Sequence, residues 1–254
     1  MIFKLQPKSI FKALLLFTIL LVVFHIVLVV GIRMSPLVTY LFRVAKAFDL
    51  DGEENVPALY SAAMLMVSAL LLGFIAFRHR LSGSRWLSWS GLAVLLAFLS
   101  LDEAILIHEP IAYAVQDALN ISREYYYIWA VPYTIAAGIV GLLYMRFLAK
   151  LPKKTRILFL FSAAVFIIGA AGFEWLSYLH VQASGSRETF LYQLLLIFEE
   201  FLEMFGVLVF VYALLDYITS QFGNLGVIVE DGVVVEDTVL GSKTGKLTDK
   251  VLTH

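Results

Sequence analysis

Six stretches of about twenty apolar residues dominate this chain, at approximately Ala13–Ile32, Val56–Phe77, Trp86–Ile107, Tyr126–Met145, Ile157–Leu179 and Phe190–Leu215. A hydrocarbon layer about 30 Å thick demands such lengths of helices rising about 1.5 Å per residue. Composition agrees: 61% of the 254 residues are apolar and 15% charged, against roughly 45–50% and 25% in soluble domains. A water-soluble globule is thereby excluded. The expected fold class is all-α, an integral membrane bundle of six transmembrane helices over residues 1–220. A short cytoplasmic C-terminal tail, 221–254, follows it. Lys4, Lys8 and Lys12 imitate the start of a signal peptide, but the apolar run behind them is long and ends Val-Gly-Ile-Arg-Met without a cleavage pattern, so it reads as a retained anchor.

Lys and Arg in short loops set orientation. The N-terminal arm, the turn with Arg78, Arg80 and Arg85, and the loop with Arg146, Lys150, Lys153, Lys154 and Arg156 together carry eleven. The other side carries five, namely Arg33, Arg43, Lys46, Arg123 and Arg187. Both termini are therefore expected in the cytoplasm, with the bacterial cytoplasmic membrane as the host. Over Met34–Phe48, Leu37, Leu41, Val44 and Phe48 share one helical face, as in a helix lying in the outer interface. In the tail, alternating residues Val227–Glu236 surround Asp231-Gly232, a hairpin turn signal. A lone hairpin is marginal in water, so the tail is expected to need a partner surface or to be partly disordered. Nineteen basic residues balance twenty acidic ones, and cysteine is absent. That leaves no basic footprint for nucleic acid and no disulfide or thiolate chemistry.

Acid inside the apolar runs is the anomaly. Asp102 and Glu103 lie in the third, Glu174 in the fifth, and Glu199, Glu200 and Glu203 in the sixth, with Glu109 just past the third. An ionised acid at mid-helix costs roughly 2.5–3.5 kcal/mol on the insertion scale, and no Lys or Arg lies in any of the six runs to compensate. Protonation, a bound cation or a water-filled cavity remains. Alternating orientation puts Asp102 and Glu174 roughly 22–25 Å from the inner ends of their helices, within two turns of Glu199–Glu203. His25 belongs to the same layer, and His108 and His180 sit at the outer ends of their runs. At about 100° per residue Asp102 and Glu109 share a face unless Pro110 kinks the helix.

Carboxylates with imidazole are hard-to-borderline ligands, suited to Fe, Mn or Zn. The candidate metal residues are Asp102, Glu103, His108, Glu109, Glu174, Glu199, Glu200, Glu203, His25 and His180, numerous enough for one ion or a binuclear centre. The Glu-x-x-His spacing of bundle di-metal sites is missing. Proton or ion conduction and protonated structural acids are the other readings of the same residues. Gly169-Ala-Ala-Gly172 and the pair Ala137 and Gly141 supply small residues for close helix approach. Tyr125, Tyr126, Tyr127 and Trp129 read as an interfacial aromatic belt. Asp49–Pro57 carries its Gly at the fourth position rather than the sixth required by an EF-hand. It reads as solvated acid, with Glu54 and Asn55 as marginal members of the site.

Leu-Asp-Gly-Glu-Glu-Asn-x-Pro-x-x-Tyr-Ser at residues 50–61, Ser100-Leu-Asp-Glu-x4-His-Glu109 and Glu199-Glu-x2-Glu-Met204 resemble a group of uncharacterised bacterial multi-pass membrane proteins, for which no activity is implied. Leu101-Asp102-Glu103 also resembles the alkaline-ceramidase-like membrane hydrolases, which hold zinc with Ser, Asp and three His. Their His-x3-His pair has no counterpart here, so His25, His108 and His180 would have to converge from three helices.

The expected function is a membrane-embedded metalloenzyme, a hydrolase or oxidoreductase, acting on a lipid or lipophilic substrate. The alternative is a divalent-cation or proton transporter, and a third class would hold haem between two of the histidines. Membrane lipid is the expected partner, nucleic acid is not, and a homo-oligomer is compatible with the chain.

Overall fold

The computed structural model describes residues 2–4, 6–34, 42–122, 128, 130–223, 226–230 and 233–235. Its helices are α1 (Pro7–Met34), α2 (Phe42–Ala47), α3 (Val56–Leu81), α4 (Leu87–Ile105), α5 (His108–Leu119), α6 (Ala130–Leu148), α7 (Lys153–Ile167), α8 (Glu174–Ser184) and α9 (Phe190–Phe222). A π-helical turn, Ile168–Phe173, joins α7 to α8 without a break. Three short strands, β1 (Ile2–Lys4), β2 (Gly226–Glu230) and β3 (Val233–Val235), form an antiparallel sheet with β2 in the middle. The Asp231-Gly232 turn, tail residues 236–254, the first part of the expected surface helix (35–41), and Tyr125–Tyr127 with Trp129 lie outside the described residues.

Among the described residues five helices, not six, are long and apolar enough to cross a membrane: Pro7–Leu28, Val56–Leu81, Leu87–Ile105, Ala130–Leu148 and Lys153–Ser184. The expected sixth span, Phe190–Leu215, belongs to α9, which differs in kind. It carries four acids, and its second half, from Met204 through Ile218, is largely buried against other helices. Around it pack α1, α3, α7, α8 and the π turn, so α9 is the axis of the bundle rather than a lipid-facing rod. The five others keep large apolar side chains outward, such as Leu16, Leu70, Val94, Leu143 and Ile157.

Neighbouring helices alternate in direction. The Phe11 ring of α1 meets Tyr212 of α9 at 5.4 Å, whereas Leu21 packs with Met204. Further along, His25 of α1 and Tyr192 of α9 both bond to the loop before α3, at Leu50 and Asp51. Thus α1 and α9 run antiparallel through the same depth. Pairing of β1 with β2 agrees, since it brings the chain before α1 and the chain after α9 to one end. Lys8, Lys12, Arg78, Arg80, Arg85, Arg146 and Lys150 gather at that basic end. The opposite, acidic end holds the 48–55 loop, α5 and the α8–α9 turn.

Close approach to α9 depends on two glycines. A Cβ on Gly206 would lie 2.9 Å from the Phe166 backbone N and 3.1 Å from its Cα. One on Gly169 would lie 2.9 Å from the Glu199 carbonyl oxygen and 3.0 Å from Glu203 Cγ. The small residues of α6 have no such use: Gly138 and Gly141 face open space, and no residue of α6 is buried.

Candidate functional site

The third apolar run does not continue to Ile107 as one helix. Leu106 adopts a left-handed conformation (φ 58°, ψ 47°) and closes α4 with its N–H on the Asp102 carbonyl. A leucine there is strained by about 1–2 kcal/mol. The Asp102 side chain offsets that strain by accepting the His108 N–H at 2.7 Å, which satisfies a donor at the start of α5 as a capping carboxylate does. Pro110, where a kink was expected, lies in the first turn of α5, where its missing N–H leaves no bond unmade. The break falls ahead of it and turns Glu109 outward, exposed, so Asp102 and Glu109 do not share a face.

His108 lies between two acids, Nδ1 at 3.5 Å from Asp102 Oδ1 and Nε2 at 3.6 Å from Glu53 Oε1. Burial alone would lower its pKa. The Asp102 and Glu53 carboxylates outweigh that and raise it to about 10, so His108 is a cation at neutral pH. Glu103, half-buried on α4, interacts electrostatically with His108, Asp102 and Glu53. Tyr133 of α6 reaches Asp102 as well.

A second group of acids comes from α8 and α9. Glu199 is buried; its carboxyl interacts with that of Glu174 and receives the Ser177 hydroxyl at 3.4 Å. The π turn precedes Glu174 directly, and Gly169 within it contacts α9 at Glu199 and Glu203. Bulges of this kind recur at functional sites because they re-aim the side chains that follow. Glu200 and Glu203 are half-buried. Electrostatically, Glu200 senses Glu103, Asp51, Glu174 and Glu53, and Glu203 senses Glu200, Glu103 and Glu174. Asp51 Oδ1 accepts the Tyr192 hydroxyl at 2.9 Å; burial raises the pKa of Asp51 despite that bond.

The remaining candidates have structural duties. His25 is buried, and its Nδ1 accepts the Leu50 N–H at 3.1 Å, 3.5 Å from Asp49. Its Nε2 is buried and has no hydrogen-bond partner among the described residues. His180 Nε2 hydrogen-bonds Thr189 Oγ1 at 2.5 Å, and that threonine caps α9 by accepting the Tyr192 N–H. His25, His108 and His180 thus serve three separate tasks. Asn55 caps α3 through Ala58 N and donates to the Asp49 and Gly52 carbonyls, both at 2.6 Å. Glu54 is exposed at φ 56°. Among the described residues, no three His, Asp or Glu side chains are grouped as they would be to hold a metal ion.

Three contributors escaped the sequence reading. Glu53 and Asp51 read as solvated loop acid and are indeed exposed, but they also reach His108 and Tyr192. Tyr133 stands in an apolar run beside Thr134, with no charged residue in that run to mark it. The π turn has a faint signal in Gly169-Ala-Ala-Gly172.

A cavity of about 360 Å³ opens beside Glu174, between α6 and α8. Val131, Ile135, Ala171 and Trp175 wall it, Thr134 and Glu174 being its polar members. No curated protein and no solved structure matches the chain. Over residues 13–218 it matches a domain family of unknown function, DUF8692, and to that family it belongs.

Proposed function

We propose that the protein is an integral membrane enzyme whose acid–base centre, at Glu174 and Glu199, works on a lipophilic substrate entering sideways between α6 and α8. The observation that carries this is the meeting of two carboxyl groups from different helices beside an apolar cavity. Two interacting carboxyls away from bulk water need a proton, a water or a cation to relieve their repulsion. A pair sharing one proton holds an acid and a base together, as general acid–base chemistry requires. Ser177 orients Glu199, and the π turn aims Glu174 at the cavity.

In this reading α9 is a sixth crossing, shielded by its neighbours, and the basic end faces the cytoplasm by the loop-charge rule. On the same reading, water reaching the half-buried Glu103, Glu200 and Glu203 from the exposed loop acids Asp51 and Glu53 makes their charge tolerable. A divalent metal bound to Glu199, Glu200 and Glu203 would require these side chains to close in from their present positions.

The electrostatic chain from Glu53 to Glu203 also suits a cation path. Against that, α9 carries no further acid past Glu203 until Asp216, which pairs with Lys154 at the basic end. Beyond it α9 packs Val207, Leu208 and Val211 against Met64 and Leu65, a dry apolar plug, so the acids form a one-sided well. The test pairs two assays on the full chain. Lipid profiles of cells expressing wild type or Glu199→Gln are compared, and proton and divalent-cation flux is measured in vesicles. A lipid change lost in the variant supports the enzyme. Unchanged lipids with Glu199-dependent flux overturn it in favour of transport.

A further inference from the structure

At the basic end, far from the acids, a cavity of about 580 Å³ lies between the α3–α4 turn, the end of α6 and α9. Arg85, Arg146 and Lys150 line it. Among the described residues none of the three has a carboxylate partner; the ion pair nearest in sequence, Lys154 with Asp216, involves none of them. Three unneutralised cations around one cavity repel one another, and an anion placed among them removes that cost.

Trp89 makes the second observation. It is 2% exposed, lines the cavity, and packs against His79, Phe147, Phe159 and Tyr217. Its indole N–H donates to no described protein group and, unlike the buried ring, is not sealed off, so it is open to an acceptor in the cavity. Ser88, beside it, also lines the cavity, so the first turn of α4 forms part of the wall. The residue before that helix, Trp86, makes no side-chain capping bond, which leaves first-turn N–H groups for an anion.

The wall is not polar throughout. Leu143 and Phe147 of α6 belong to it, and Leu143 is 73% exposed on the outer apolar surface. The cavity therefore runs from a basic pocket onto a lipid-facing helix. It also lies where the candidate spans end, at Leu81, Leu87, Leu148 and Lys153, which is headgroup depth. We propose that this cavity binds the phosphate of an anionic phospholipid between Arg85, Arg146, Lys150 and the Trp89 N–H, with an acyl chain lying along α6. Free phosphate would satisfy the cations but leave the apolar wall unused.

Native mass spectrometry of the detergent-purified chain, titrated with phosphatidylglycerol, phosphatidylcholine or inorganic phosphate, tests this. Phosphatidylglycerol is expected to be retained in preference to the other two. Neutralising two cations in the double variant Arg85→Gln/Arg146→Gln should weaken it about 30-fold, at about fivefold per basic residue. Lys153→Gln, at the same end but outside the cavity lining, should leave binding unchanged. Trp89→Phe removes the donor together with part of a packed ring, so its thermal unfolding is measured beside its binding, and weaker binding counts only where the midpoint shows the fold intact. Equal retention of phosphatidylcholine, equal loss in Lys153→Gln, or inorganic phosphate displacing the lipid would overturn the proposal.

Discussion

Gly206→Ala should destabilise the bundle although it adds a single methyl to a helix. The new carbon would lie 2.9 Å from Phe166 N, 3.0 Å from its Cβ and 3.1 Å from its Cα. Two of these three atoms are backbone, so no rotamer change relieves the contact and α7 must move away from α9. Overpacking of this kind costs about 1–3 kcal/mol. At roughly 2–4 °C per kcal/mol for a chain of this length, the midpoint should fall by about 2–12 °C. The internal control is Gly141→Ala, where nothing lies within 4 Å. There the better helix propensity of alanine should raise stability by up to about 1 kcal/mol. Thermal and SDS-induced unfolding of both variants measures the difference. A neutral Gly206→Ala, or the same sign in both variants, would refute the close α7–α9 packing on which the placement of Glu174 and Glu199 depends.

Other outcomes follow from the acidic end. His108 has a folded-state pKa of about 10, raised above its ordinary 6.5, so its tie to Asp102 and Glu53 contributes in full below about pH 6.5 and is lost as pH rises through about 10. Hydrogen exchange of residues 49–55 and 102–110 should therefore accelerate with pH beyond the intrinsic increase, and less so in Glu53→Gln; identical profiles would count against the tie. Asp102→Ala should cost about 0.5–2 kcal/mol and fray α5, read as lost exchange protection confined to that helix. His25→Leu leaves the Leu50 N–H without its acceptor, at about 1–3 kcal/mol; an unchanged stability would show that this bond does not hold the loop to α1.

Apolar run length placed most of the crossing helices because lipid imposes it on composition directly. The two ends of the third run show where that signal stops. The break at Leu106 is specified by a hydrogen bond from His108 N–H to the Asp102 side chain, a tertiary detail that periodicity cannot carry, and Pro110 pointed to the wrong turn. Acid content put Asp102, Glu174 and Glu199–Glu203 in one layer, since their depths on alternating helices are calculable, but it did not single out any pair. It misplaced Glu109, and it read His25 and His180 as ligands when their nitrogens fix a loop and a helix cap. Asp51 and Glu53 were illegible for the converse reason: their loop looks solvated in sequence and becomes part of the acidic end only when Asn55 folds it over α3. The character of α9 was half legible. Its length implied a span, but its four acids and its buried second half make it the bundle's axis.

The convergence of α8 and α9 acids in one place is tested most directly by a thiol crosslink, in a chain whose lack of cysteine gives a clean background. With Glu174→Cys and Glu199→Cys in one molecule, the shortest bifunctional thiol reagent should join the pair in membranes, while Glu109→Cys with Glu199→Cys stays open. Failure of the first pair to join, or joining of the second as readily, would contradict the account.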